Sequence, residues 1–152
     1  MYSISALYKF HSIEDPNKIH NKIRKELKDL DIKGTILVGS EGINGTMSSK
    51  CSKKLSEAIK CIKSIEGFKN IDIKYSFSKI NPFVRLKVKL KKEIVTIGDD
   101  SIDPNLISGD YIDPKDWNEI IDDENVLLID TRNHYECSIG SFKNSINPNT
   151  TK

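Results

Sequence analysis

Apolar and polar positions alternate from Ser3 to Phe10 ("SISALYKF"), with Ile4, Ala6, Tyr8 and Phe10 on one side. That period of two predicts a half-buried strand whose apolar side carries those four residues. The period then changes. Asp15-Pro16 supplies an N-cap followed by proline at the first helical position. Ile19, Ile23, Leu27 and Leu30 follow at spacings of four, four and three, which puts one apolar stripe on a helix with Lys and Arg opposite. "KGTILVGS" (33–40) reads as a buried strand and "INGTMSS" (43–49) as its neighbour, with Gly42 and Asn44-Gly45 providing turn or bulge chemistry. A second stripe, Leu55, Ala58, Ile59, Ile62 and Ile65, predicts a helix over about 52–65 that stops near Gly67. Ile71, Ile73, Tyr75 and Phe77 alternate once more.

The order is β-α-β-β-α-β, the split arrangement of ferredoxin-like domains. Asn81-Pro82 interrupts it. A further strand is expected over 85–98 ("RLKVKLKKEIVTIG"), with Leu86, Val88 and Leu90 inward and Arg85, Lys87, Lys89 and Lys91 outward. From Asp99 to Gly109 the composition turns to Asp, Ser, Pro and Gly, which predicts a linker between a domain at 1–98 and a second unit at 110–152. In that unit "DYID" reads as a short extended piece and Pro114 to Ile121 as a short helix carrying Trp117. "VLLID" (126–130) reads as a buried strand and Asn133 to Cys137 as a helical turn. One interior strand is too little for a closed core, so this unit is expected to be the truncated start of an α/β domain.

Composition narrows the function classes. The chain of 152 residues is 37% hydrophobic, enough for a globular core. No run approaches the roughly 18 apolar residues of a membrane helix, and the first residues lack the basic-then-apolar signature of a signal peptide. A cytoplasmic protein without membrane partners is expected. Cys51, Cys61 and Cys137 fit neither a CxxC pair nor a metal cluster, and His11, His20 and His134 are scattered, so reduced thiols and no metal are expected.

The net charge of +2 conceals an asymmetry. Residues 1–98 carry 20 Lys+Arg against 10 Asp+Glu, whereas residues 99–152 carry 4 against 12. A basic first part is able to attract polyanions. Within it the Arg85/Lys87/Lys89/Lys91 row is either a solvated strand face or a stripe that contacts an RNA backbone, and no RNP-type aromatic pair accompanies it. "KGTILVGSEGINGT" (33–46) is either a hairpin whose glycines supply positive φ or an edge whose N–H groups meet a phosphate. "VLLIDTRNHYE" (126–136) runs from an apolar strand into Asp130 and Arg132, the way α/β domains place a site at a strand's C-terminal edge. On structure alone those two residues could equally form a buried ion pair that closes a strand end.

"LLIDTR" followed by a Glu resembles the start of a rhodanese domain. Together with "KGTILVGSEGINGT", "NPFVRLKVKLKKEIVTIG", "GDYIDPKDWNEII" and "VLLIDTRNHYECSIGSFKNSINPNT", it is similar, over nearly the whole chain, to the rhodanese-related tRNA uridine hydroxylases, long an uncharacterised bacterial family. The resemblance implies an α+β protein, with a ferredoxin-like (acylphosphatase-like) βαββαβ domain followed by the start of an α/β rhodanese domain. It implies oxygen-dependent hydroxylation of the wobble uridine of tRNA to 5-hydroxyuridine. Molecular oxygen would be the co-substrate, tRNA the partner, and no dedicated cofactor is known. Asp130, Arg132 and Glu136 would support a loop bearing the nucleophilic Cys, expected beyond Lys152, so this chain is expected to be inactive alone. Lys33, Asn44, Arg85, Lys87, Lys89 and Lys91 would contact tRNA. A rhodanese-type sulfurtransferase and a non-catalytic nucleic-acid-binding module are the alternatives.

Overall fold

The structure, a computed structural model, describes residues 1–95 and 109–149. Contacts divide the chain into two compact units, Met1–Ser108 and Gly109–Lys152. The expected linker at 99–109 lies, apart from Gly109, outside the described residues, as do positions 96–98 of the expected fifth strand.

In the first unit β1 (Tyr2–Phe10), α1 (Pro16–Leu27), β2 (Lys33–Gly39), β3 (Gly42–Ser49), α2 (Ser52–Lys63) and β4 (Asp72–Ser78) follow in the expected order. A further strand, β5 (Leu86–Leu90), completes a five-stranded sheet of order β4-β1-β3-β2-β5. All pairings are antiparallel except β2 with β5. Both helices pack on one side of the sheet, around Ile36, Val38, Ile43, Met47 and the fully buried Phe68. The Asp15 carboxylate caps α1 by accepting the Lys18 N–H at 2.9 Å. Ile23 and Leu27 of its stripe are buried, with Ile19 and Leu30 packed at the margin. After α2, Gly67 adopts φ +81, and a Cβ there would run into the His11 ring.

The structure reverses the expected face of β1. Its buried residues are Ser5 and Leu7, while Ile4, Ala6, Tyr8 and Phe10 are half-buried on the side without helices. Register fixes this assignment. Leu7 lies opposite Gly45 and Ile73, and Ser5 opposite Met47 and Tyr75, so the odd positions share the side of the core. Alternation gives a strand's two sides but not which one the helices cover. In β1 the apolar-rich side is the one that α1 and α2 do not cover, and the Ser5 hydroxyl sits in the core with no partner among the described residues. Along β4, Ile73 packs against the core, but Tyr75 and Phe77 stay exposed on this edge strand.

The fifth strand is also shorter than expected, ending at Leu90 rather than running to 98. The Lys91 N–H still donates to the Val38 carbonyl at 2.9 Å, and the chain then turns. Ile94 is buried, its N–H donating to the Glu41 carboxylate and its carbonyl accepting from Asn44 at 3.1 Å. These contacts, with the Ile94 side chain beside Gly39 and Gly42, hold the chain against the β2–β3 hairpin instead of continuing the strand.

The second unit holds two short helices, α3 (Trp117–Ile121) and α4 (His134–Ile139). Trp117 packs on Phe142, with ring centroids 5.4 Å apart. The expected buried strand "VLLID" is not one. It makes a single parallel bridge, Ile129 to Ile146, and Leu127 and Ile129 remain 65% and 50% exposed. Among the described residues only the Ile146 segment lies alongside it, so its apolar side chains have no layer to pack against. The expected turn at 133–137 is realised as α4, with the Glu136 carboxylate accepting from the Asn133 backbone N–H and side-chain amide.

Candidate nucleic-acid interface

The sheet side without helices is assembled by register. Lys74, Ala6, Thr46, Thr35 and Lys87 form one row across the five strands. The next row is Asp72, Tyr8, Asn44, Leu37 and Lys89. The middle of this face is therefore half-buried and largely uncharged, and exposed lysines stand at both edges. Strand spacing of about 4.8 Å puts β4 and β5 about 19 Å apart. Phe10 lies on the same face beside Tyr8, with ring centroids 6.5 Å apart and planes at 80°.

Of the residues expected to contact RNA, Lys33, Lys87 and Lys89 lie on this face, with Lys33 opposite Ser48 at its margin. Arg85 stands just before β5, its carbonyl accepting the Gly34 N–H. Lys91 follows the end of β5 and is exposed. Asn44 is on the face, but its side-chain N–H is given to Ile94. "SEGINGT" thus acts through Glu41 and Asn44 as a backbone clamp, and Gly42, at φ +151, lets the strand pass within contact of the Lys9 carbonyl. Tyr8 and Phe10 were not among the residues that the sequence brought together with the lysines. Their signal was present in the alternation of β1, assigned to the wrong side.

A hollow of about 230 Å³ opens at the β2–β5 edge, lined by Thr35, Pro82, Phe83, Val84, Arg85 and Lys87. Its rim is fixed by Asn81, whose side-chain oxygen accepts from the Ser48 hydroxyl at 2.8 Å and the Phe83 N–H at 3.0 Å. The hollow offers a guanidinium, an ammonium, a hydroxyl and an aromatic ring. By contrast, a cavity of about 380 Å³ at the start of α1 is lined by Glu14, Asp15 and Glu66 against Lys18 and His11, a poor setting for a polyanion. Positive charge also covers the helices, for example Arg24, Lys25 and Lys28. Charge alone therefore does not choose a face, whereas the lysine-edged, largely uncharged platform occurs on the side of the sheet away from α1 and α2.

In the second unit two of the three expected loop-support residues, Asp130 and Arg132, come together. The Arg132 guanidinium forks onto the Asp130 carboxylate (Nε to Oδ1 2.9 Å, Nη2 to Oδ2 2.6 Å) and also donates to the Gly140 carbonyl at 2.7 Å. Ser141 donates to the same carboxylate at 3.0 Å. This pairing holds the Asp130 carboxyl well below, and the Arg132 guanidinium above, their ordinary ranges. Glu136 serves α4 as described and makes no bond to either residue. Cys137 lies beside the pair, its Sγ 3.7 Å from the Arg132 carbonyl. Burial, and then the Asp130 carboxylate, push its thiol up, which is the wrong direction for a nucleophile. Burial and Glu26 push the Cys61 thiol up to about 12, and Cys51 is exposed at the start of α2. No group of three metal-ligating side chains occurs among the described residues, and no helix among them is long and apolar enough to cross a membrane.

The chain is 47% identical over 151 residues to a protein of Bartonella quintana (strain Toulouse) named tRNA uridine(34) hydroxylase. That match covers 97% of this chain and 48% of the relative, so the chain spans about half the relative's length. Similar solved structures include acylphosphatase from Bacillus subtilis, with a TM-score of 0.45 and 12% identity over 59% of this chain and 99% of that one. A second is an acylphosphatase from Coxiella burnetii, with a TM-score of 0.40 and 10% identity over 57% and 90%. The family pattern of the UPF0176 acylphosphatase-like domain matches residues 2–94, which is the whole described first unit but for its terminal residues. The chain belongs to the UPF0176 family.

Proposed function

We propose that this chain is the RNA-recognising part of an enzyme that hydroxylates the wobble uridine of tRNA, with molecular oxygen as co-substrate. The observation that carries this reading is the 47% identity, sustained over 151 residues, to a relative named for that activity. The lysine-edged sheet face supports it, because affinity for RNA rests mainly on cations near phosphates. Such a substrate places the protein in the cytoplasm. In this reading residues 1–98 meet the RNA, 99–109 link, and 110–152 begin the unit that carries the chemistry. Asp130 and Arg132 brace the end of the "VLLID" segment and tie it to Gly140 and Ser141 after α4, the role expected of supports beside an active-site loop. Burial pushes the thiols of Cys61 and Cys137 up, away from the thiolate form, so we read the chain's own contribution as recognition.

Deleting the full gene, in a strain with no second route to the modification, tests the reading by mass spectrometry of tRNA nucleosides. Loss of 5-hydroxyuridine and nucleosides derived from it is expected, and undiminished levels would contradict it. Turnover of thiosulfate with cyanide by the full-length protein, with tRNA left unchanged, would point to a sulfurtransferase instead.

A further inference from the structure

We infer that β5 is gripped by RNA from both sides of the sheet, with phosphates at Arg24 and Lys28 on the helix side and at Arg85 and Lys87 on the other. The inference rests on the RNA-recognition reading above and adds to it a second seat, formed by α1. Register places the two seats. Leu86 and Val88 lie beside Gly34 and Ile36 of β2, so these positions of β5 face the core, whereas Lys87, beside Thr35, faces the other way. Each side carries a hollow. On the side away from the helices it is the one of about 230 Å³ with Arg85 and Lys87 in its lining. On the helix side a hollow of about 260 Å³ is lined by Arg24, Lys28, Leu86 and Val88. Both thus flank the last strand of the sheet, β5.

Arg24 and Lys28 are four residues apart at the end of α1, one above the other on the same helix face. His20, one turn earlier, fastens that face to β5, its Nε2–H donating to the Val88 carbonyl at 3.1 Å. The walls of the second hollow are therefore a helix and a strand in fixed relation. Two cations at this spacing repel each other mildly, and anions beside them relieve it. No carboxylate lines either hollow, and none among the described residues lies in ion-pair reach of the four cations, all of them exposed. The cavity at the start of α1, with its three carboxylates, differs in this respect. Charge on two sides of one strand also selects the kind of polyanion. A bilayer surface is broad and flat and meets a sheet edge from one direction. Folded RNA carries phosphates along both margins of a groove, so it offers anions to both sides of an edge at once.

The arginines of the chain are Arg24, Arg85 and Arg132, so modification with phenylglyoxal, read by mass spectrometry, probes both seats without any substitution. Saturating tRNA at low salt is expected to slow the modification of Arg24 and of Arg85 together, measured against Arg132, which Asp130 holds. Arg24→Ala/Lys28→Ala is expected to weaken tRNA about tenfold and to lower the logarithmic salt dependence by about 1.4–1.8, the share of two phosphate contacts. Lys60→Ala/Lys63→Ala removes the same charge from exposed positions of α2, which packs on β1 and β3 while α1 packs on β5. That variant is expected to bind tRNA within about twofold of the unaltered chain, with the same salt dependence. The protection experiment decides the matter even where a variant fails to fold. Protection of Arg85 without Arg24, or equal losses from the α1 and α2 variants, would overturn the inference and leave RNA recognition standing on one side of the sheet. Protection by anionic lipid vesicles but not by tRNA would also overturn it. A chain that binds no tRNA would remove this inference and the recognition reading together, and the 5-hydroxyuridine measurement decides the enzymatic reading separately.

Discussion

The side-chain amide of Asn44 donates to the Ile94 carbonyl at 3.1 Å, across fifty residues of chain. Glu41, three residues earlier, accepts the Ile94 N–H. Together the two side chains satisfy both backbone groups of a buried residue, which makes the "EGIN" segment a structural clamp. Asn44→Ala should cost about 1 kcal/mol and Glu41→Ala about 1.5–3 kcal/mol. For a domain of this size each kcal/mol lowers the midpoint of thermal unfolding by about 4–8 °C. RNA affinity of the folded Asn44→Ala chain should stay within about twofold. A large loss of affinity at an unchanged melting midpoint would make Asn44 an RNA contact after all.

Gly34 lies at φ +148, and a Cβ there would sit 2.1 Å from the Thr46 carbonyl oxygen. Backbone in this region and a contact that close to another strand leave no room to adjust. Gly34→Ala should destabilise the first unit by several kcal/mol, read as a fall in the denaturant midpoint or as insoluble expression.

The Cys61 thiol, pushed up to about 12 by burial and Glu26, stays protonated in the folded chain at pH values where the unfolded thiol ionises. Its sign follows. The folded value is the higher one and the neutral form is the one favoured, so stability declines as pH rises from about 9 towards 12. The slope attributable to this thiol is about 1.4 kcal/mol per pH unit. Cys61→Ala should flatten the alkaline fall in stability by that slope, measured by urea unfolding at several pH values. In alkylation with iodoacetamide, the exposed Cys51 should react well before Cys61.

Asp130→Asn should loosen the second unit. The neutral amide keeps the size of the side chain but loses the charge-assisted fork to Arg132. Faster hydrogen exchange is expected at the amides of Asp130 and Ile146, which form the bridge beside it. The ordinary chain should show the same loosening as pH falls below about 4, because a carboxyl held low contributes stability that is lost only on protonation.

Much of the first unit was legible in the sequence because its two helices carry single apolar stripes and its turns carry Asp-Pro, Gly and Asn-Pro signals. The boundaries of α1, β2, β3 and β4 fall within a few residues of expectation. What could not be read was the side of β1. Ser5 and Lys9 make its core side look polar, and only pairing with β3 shows where the helices lie. The length of β5 was hidden for a related reason. The apolar run resumes at Ile94 after Lys91-Lys92-Glu93, and the contacts that turn the chain come from Glu41 and Asn44, some fifty positions earlier. "VLLID" reads as a buried strand from composition alone, yet burial depends on layers that its own residues do not supply. The meeting of Asp130 with Arg132 was expected, because residues two apart at a strand end can face each other locally.

The most direct measurement of the central claim is the affinity of this chain for tRNA as a function of salt, for the unaltered chain and for a Lys87→Ala/Lys89→Ala variant. Both substitutions fall on exposed side chains and should leave the melting midpoint unchanged. Binding is expected at low salt, with a logarithmic salt dependence that drops by about 1.4–1.8 in the variant, the share of two phosphate contacts. Absent binding at low salt, or an identical salt dependence in the two chains, would contradict it.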